Sequence, residues 1–88
     1  MINTKITITN KAGLHARAAA KFVSTVSEFV SNVEIGSSLK MVDGKSILSI
    51  MLLAAAQGSE LELIINGPDE TQALQAILNL VDNRFGEE

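Results

Sequence analysis

From Thr4 to Thr9, Ile6 and Ile8 alternate with polar neighbours, and this two-residue period predicts a half-buried strand. Asn10 to Gly13 reads as a turn or loop. From Ala16 to Phe29 the period lengthens, and Ala19, Phe22, Val23, Val26 and Phe29 fall on one side of a helix. Asn32 to Ile35 is a short strand, Gly36-Ser37-Ser38 a turn, and Leu39 to Val42 a second short strand that Asp43-Gly44 ends. Ser46 is placed to N-cap a helix over Ile47 to Ala55, which Gln57-Gly58 closes. Ser59 to Asn66 alternates Leu61, Leu63 and Ile65 with Glu60 and Glu62, a strand with one wet face. Gly67-Pro68-Asp69 then starts a last helix, along which Leu74, Ile77, Leu78, Val81 and Phe85 recur before Gly86 ends it.

The order is β-α-β-β-α-β-α, with no linker or repeat interrupting it. Strands with one apolar face beside amphipathic helices predict an α+β fold, its helices packed on one side of a mainly antiparallel sheet. Eighty-eight residues allow one modest core, so a single domain over residues 1–88 is expected.

Composition narrows the chemistry. Three Phe and no Trp or Tyr make the core aliphatic. The formal net charge of −3 argues against a nucleic-acid partner, which calls for a basic patch. With no cysteine and one histidine, disulfides, thiolate nucleophiles and Cys- or His-built metal clusters are excluded, and no cofactor is expected. The longest apolar run, Ile50 to Ala56, is too short to span a bilayer, and no basic-then-apolar leader is visible. A cytoplasmic protein without membrane insertion is the expectation.

One segment can carry chemistry: Ala12-Gly13-Leu14-His15-Ala16-Arg17-Ala18-Ala19-Ala20-Lys21-Phe22. His15 falls where loop becomes helix. The first N–H groups of a helix lack internal acceptors and the macrodipole adds positive charge, so this is a ready anion site. An uncharged imidazole there is a nucleophile toward phosphorus, and the backbone N–H groups of Ala16, Arg17 and Ala18 would cradle the product. Arg17 could add a charge-assisted hydrogen bond, and Lys21 follows one turn later. The residues alone allow an equal alternative, in which His15 merely caps the helix and Arg17 is a solvated charge.

The segment resembles the active-site motif of the HPr family, the histidine-containing phosphocarriers of the phosphoenolpyruvate-dependent phosphotransferase system. Gly13, Leu14, His15, Ala16 and Arg17 stand where that motif places them. The resemblance extends through Gly44-Lys45-Ser46-Ile47, the apolar helix after it, Leu61-Glu62 and Gly67-Pro68-Asp69-Glu70. It implies an open-faced two-layer β-sandwich with sheet order 1-4-2-3. It implies that enzyme I phosphorylates His15 on Nδ1, that Arg17 helps hold and release the group, and that an enzyme IIA-type protein accepts it. The chain would then be a carrier, not an enzyme with its own turnover. Many members have Pro where Ala18 stands here, which leaves the first turn less rigid and the sugar-linked or nitrogen-related branch open. The competing function is a regulatory interaction module of the same fold, whose phosphorylation state sets partner binding. A small-molecule-binding module fits the element order and leaves the His15 segment unexplained.

Ser46 explains itself as an N-cap. In part of the family a dedicated HPr kinase/phosphorylase modifies this serine, which makes Ser46 a candidate regulatory phosphoserine and that kinase a candidate partner. Gly44-Lys45-Ser46 also echoes a P-loop, but Leu39 stands where that motif needs Gly. Ile47, Leu48 and Met51 belong to a helix apolar nearly all round, and a short helix on a sheet buries one side, so they should remain partly exposed as a partner surface. Ala20, Lys21 and Ser24 on the preceding helix are expected to extend it. The pairs Glu60/Glu62 and Glu87/Glu88 read as solvated surface and tail.

Overall fold

A computed structural model describes residues 1–87. Four strands, β1 (Ile2–Thr7), β2 (Asn32–Ser37), β3 (Lys40–Asp43) and β4 (Glu60–Asn66), form one antiparallel sheet in the order β1-β4-β2-β3. Three helices, α1 (Ala16–Val26), α2 (Ile47–Leu52) and α3 (Glu70–Asp82), are followed by a 3-10 turn at Arg84–Gly86. The α+β architecture expected from the patterning, and the two-layer arrangement and strand order that the resemblance implies, are all present.

Register follows the alternation. Ile6 lies opposite Leu61, and Ile35 and Val33 lie opposite Leu63 and Ile65, so the buried residues of three strands share one face. Ala18, Ala19, Phe22 and Val26 of α1, Ile50 of α2, and Ala73, Ile77 and Val81 of α3 close over that face. The other face carries Lys5, Glu34 and Glu60 and stays wet.

Several boundaries shift, each for a local reason. β1 begins at Ile2 and ends at Thr7. Ile8 still donates to Ser59 O at 2.9 Å and accepts from Gly58 N at 2.8 Å, so its side chain is buried although the strand has ended. α1 stops at Val26, because Glu28 and Phe29 take tighter bonds to Thr25 and Val26. Leu39 lies at the tip of the β2–β3 hairpin, 95% exposed, instead of in the strand. α2 ends at Leu52, three residues early, where the chain turns through Ala54 at φ +52°. α3 ends at Asp82, so Phe85 is not on the helix. Positive φ angles at Arg84 and Phe85 swing the Phe85 ring into the core from below the last turn.

Two long-range ties fix α3. Thr9 Oγ1 donates to Val81 O at 2.6 Å. The carboxylate of Asp69 accepts from Val30 N at 2.9 Å, from Ser31 N at 3.0 Å and from the Ser31 hydroxyl. Asp69 thus starts α3 without capping it, and spends its oxygens on the segment ahead of β2. The Ser31 hydroxyl above all, and the two backbone donors, hold its carboxyl below the ordinary 3.8. The unfolded chain therefore binds this proton more readily. The stability gained from Asp69 is whole above that ordinary value and is lost as pH falls through the depressed one. Urea midpoints measured from pH 7 to pH 2.5 should fall below about pH 4, and Asp69→Asn should lower the neutral midpoint and flatten the acid limb. An unchanged acid limb in the variant would assign acid sensitivity to other carboxylates.

Candidate functional site

The geometry around His15 begins with Gly13. Its φ of +70° turns the loop tightly, and Gly13 N donates back to Asn10 O at 3.2 Å. Leu14 N then donates to Ala55 O at 2.9 Å, and the Leu14 side chain is buried, so this loop lies on the chain leaving α2. His15 is the N-cap of α1 in extended conformation (φ −78°, ψ −179°), and its side chain makes no capping bond. Its backbone carbonyl accepts the first helical bond, from Ala19 N at 2.8 Å. The N–H groups of Ala16, Arg17 and Ala18 precede that bond and have no acceptor inside the helix. The imidazole is thus free to act on something other than its own helix.

The ring is one-third exposed, at 34%. It borders a shallow depression of about 330 Å³ between Ala12, His15 and Ala16 on one side and Met51, Ala54 and Ala56 on the other. Arg17 is exposed in the first turn, which itself contains no acidic residue. An anion arriving beside His15 would meet orphaned backbone donors, the positive end of an eleven-residue helix and the Arg17 charge together.

One neighbour reverses a sequence expectation. Glu87 is not a solvated tail residue: its side chain is 12% exposed and its Oε2 lies 2.7 Å from His15 Nε2. Its other oxygen, Oε1, accepts from Asn10 Nδ2 at 2.8 Å, and the same Nδ2 donates to Gly13 O at 2.8 Å. Asn10 is fully buried, and its Oδ1 has no partner among the described residues. The bond from Asn10 first, then the bond from His15 and the charges of His15 and Arg17, hold the Glu87 carboxyl below its ordinary 4.5. Glu88 lies outside the described residues.

Glu87 reaches the site by backbone geometry. After α3, Arg84, Phe85 and Gly86 all have positive φ, which reverses the chain toward α1. Lys21 Nζ donates to Phe85 O at 2.7 Å and pins the reversal. Lys21, expected on the partner face, is therefore half-buried with its ammonium committed to the C-terminal segment. Ala20 beside it is half-buried and Ser24 is exposed. Asn10 and Glu87 are the site residues that the sequence did not announce. An Asn three residues before the loop glycine reads as a turn former, and a glutamate near the chain end carries no periodicity.

On α2, Ser46 accepts from Ser49 N at 3.3 Å, the capping bond its position predicts. Ile47, Leu48 and Met51 are 41%, 67% and 38% exposed, so this helix does present an apolar face, and Leu52 extends it. Met51 lines the depression beside His15. The apolar face and the imidazole are thus contiguous. Among the described residues no helix is long and apolar enough to cross a membrane.

The chain also resembles known proteins along nearly its whole length. Residues 2–83 match the family model described as the PTS HPr component phosphorylation site. The chain is 48% identical over 88 residues to the phosphocarrier protein HPr of Xylella fastidiosa (strain Temecula1), covering 100% of this chain and 99% of that protein. It is 49% identical over 84 residues to the phosphocarrier protein HPr of Pseudomonas aeruginosa, covering 94% and 93%. The crystal structure of an HPr from Thermoanaerobacter tengcongensis superposes with a TM-score of 0.94 at 44% identity, covering 100% of this chain and 99% of that one.

Proposed function

Because this chain belongs to the HPr family, the phosphocarriers of the phosphotransferase system and not enzymes in their own right, we propose that His15 accepts a phosphoryl group from enzyme I and passes it to an enzyme IIA-type protein. The observation that carries this reading is the placement of an accessible imidazole at the start of α1, with no capping bond of its own and orphaned N–H groups beside it. His15 is the only histidine in a chain without cysteine. Nε2 is taken up by Glu87, which leaves Nδ1 as the attacking nitrogen.

In the forward step the Nδ1 lone pair forms the N–P bond. The bond from phosphorus to the donor breaks, and its electron pair stays with the donor. The N–H groups of Ala16, Arg17 and Ala18 and the Arg17 guanidinium then face the new dianion. Such helix-end interactions contribute about 0.3–1 kcal/mol each, enough to hold the group without trapping it. The return step is the same displacement with the acceptor as nucleophile. The carrier works in the cytoplasm, free of cofactor and nucleic acid.

Docking falls to the apolar face of α2, through Ile47, Leu48 and Met51, continued by the exposed parts of α1 at Ala20 and Ser24. Lys21 acts indirectly, by holding the C-terminal segment. Leu48→Glu should slow transfer from enzyme I and to the acceptor about tenfold, since a buried charge at an interface is costly, with stability changed by no more than about 0.5 kcal/mol. Equal transfer rates in the variant would move the docking face elsewhere. Ser46 opens the same helix, so a phosphate on its hydroxyl would replace a neutral cap by a charge at the docking face. HPr kinase/phosphorylase is the partner such a modification requires.

The reading is tested directly by incubating the chain with phosphoenolpyruvate and catalytic enzyme I and recording intact mass. One added, acid-labile phosphoryl group is expected. No mass gain with active enzyme I would overturn it.

A further inference from the structure

Glu87 touches the imidazole at Nε2, a contact that so far has served only to mark Nδ1 as the attacking nitrogen. We propose that Glu87 is a positioning residue for His15: its carboxylate holds the proton on Nε2, keeps Nδ1 as the lone-pair nitrogen, and balances the charge the ring acquires as phosphorus is transferred. The proposal rests on His15 being the phosphoryl acceptor.

Three observations carry it. The Oε2–Nε2 separation is 2.7 Å, a short hydrogen bond. An ionised carboxylate only accepts, so Nε2 must be the donor. In a neutral imidazole that leaves Nδ1 unprotonated. The carboxylate is itself built in: it is 12% exposed and its second oxygen is held by Asn10 Nδ2, a fully buried side chain anchored in turn on Gly13 O. The line Gly13–Asn10–Glu87–His15 therefore joins the loop that aims the imidazole to the group that sets its tautomer. Finally, the segment that delivers Glu87 is fixed independently of it, by the buried Phe85 ring and by the Lys21 bond to Phe85 O.

The transfer step balances with no added reactant. As Nδ1 bonds to phosphorus and the donor bond breaks onto the donor, the ring passes from neutral imidazole to imidazolium while Nε2 keeps its proton. The positive charge that appears there faces the Glu87 carboxylate across one hydrogen bond. A preorganised ionised partner aimed at developing charge lowers the barrier without reorganising. When the group leaves for the acceptor, the electron pair returns to Nδ1 and the charge disappears.

Two variants separate the tautomer from the charge. Glu87→Ala removes both, and Glu87→Gln keeps an oxygen for Nε2–H but removes the charge. Long-range 1H–15N NMR of His15 above its titration range reads the tautomer. Quenched-flow transfer from phosphorylated enzyme I reads the rate. The wild type should show Nδ1 as the unprotonated nitrogen. Glu87→Ala should shift the ring to a mixture of tautomers and slow acceptance about tenfold at saturating donor. Glu87→Gln should retain most of the wild-type tautomer and fall between the two in rate. A Glu87→Ala protein with the wild-type tautomer and rate, or one that accepts phosphate faster, would overturn the proposal. Failure of the wild type itself to take up phosphate, or uptake at a residue other than His15, would overturn the carrier reading instead.

Discussion

His15→Ala should take up no phosphoryl group from enzyme I, and should unfold at nearly the wild-type urea concentration. The loss is complete because nothing can substitute. The chain holds no second histidine and no cysteine, and backbone N–H groups at a helix start can hydrogen-bond an anion but form no covalent bond to it. The fold survives because the ring is not one of the buried core side chains, and the one bond it gives up, to Glu87, leaves that carboxylate still held by Asn10. It is one-third exposed over the depression beside α2, and its backbone role as N-cap, accepting from Ala19 N, does not depend on the side chain. Losing one partly exposed hydrogen bond of this kind changes stability by about 1 kcal/mol. Intact mass under acid and neutral work-up, with a urea titration of the same sample, checks both halves. Acid-labile phosphate on the variant would place the carrier residue elsewhere. A collapsed midpoint would make His15 a structural residue first.

Gly13→Ala should damage both fold and transfer. Two independent penalties meet at this position. A side chain at φ +70° lies in the left-handed region, at a cost of roughly 1–2 kcal/mol. The added Cβ would sit 2.3 Å from Ala55 O and 3.0 Å from Ala56 Cα, and neither is the yielding end of a flexible side chain. Relief requires the two loops to separate, which stretches the Leu14 N to Ala55 O bond of 2.9 Å and lifts buried Leu14. The total should be about 3 kcal/mol or more, a large share of the 5–15 kcal/mol of a small domain. His15 follows Leu14 directly, so the imidazole moves with the loop. Displacements of about 1 Å at a reacting group can cost roughly a hundredfold in rate. Urea denaturation and transfer at a temperature where the variant is still folded separate the two effects. A variant with the wild-type midpoint would show that the two loops part freely.

The sequence exposed those features whose physics is local. Ile6 and Ile8, and Leu61, Leu63 and Ile65, announce their strands because one face of each is buried. Ser46 announces its helix because a cap must be a short polar side chain. Gly13 before His15 marks a bend delivering a side chain to a helix start. Where several distant segments decide the outcome, the pattern misleads. The spacing from Leu74 to Val81 continues smoothly to Phe85, yet the helix ends at Asp82 and the ring enters the core through a left-handed turn. Burying Phe85 outweighs the strain of positive φ at two non-glycine residues. That substitution of one solution for another is what carries Glu87 to His15. The roles of Glu87, Asn10 and Lys21 were illegible for the same reason: each is defined by a partner more than 60 residues away.

The strand order also sets when this molecule can exist at all during its synthesis. β4 lies between β1 and β2, so those two strands touch β4 and not each other. A ribosome that has delivered everything up to Ser59 has exposed Ile6, Ile8, Phe22, Val33 and Ile35 with no central strand to pair against. The hairpin of β2 and β3 and the turns of α1 are all that local contacts can hold at that stage. Once Glu60–Asn66 emerge, both neighbours can zip onto one seven-residue segment, with the slower kinetics that pairing of distant residues imposes. α3 and Glu87 come later still. On the proposed reading, the contact between Glu87 and His15 is therefore assembled last, and an incomplete nascent chain lacks the finished sheet that α1 and α2 pack on.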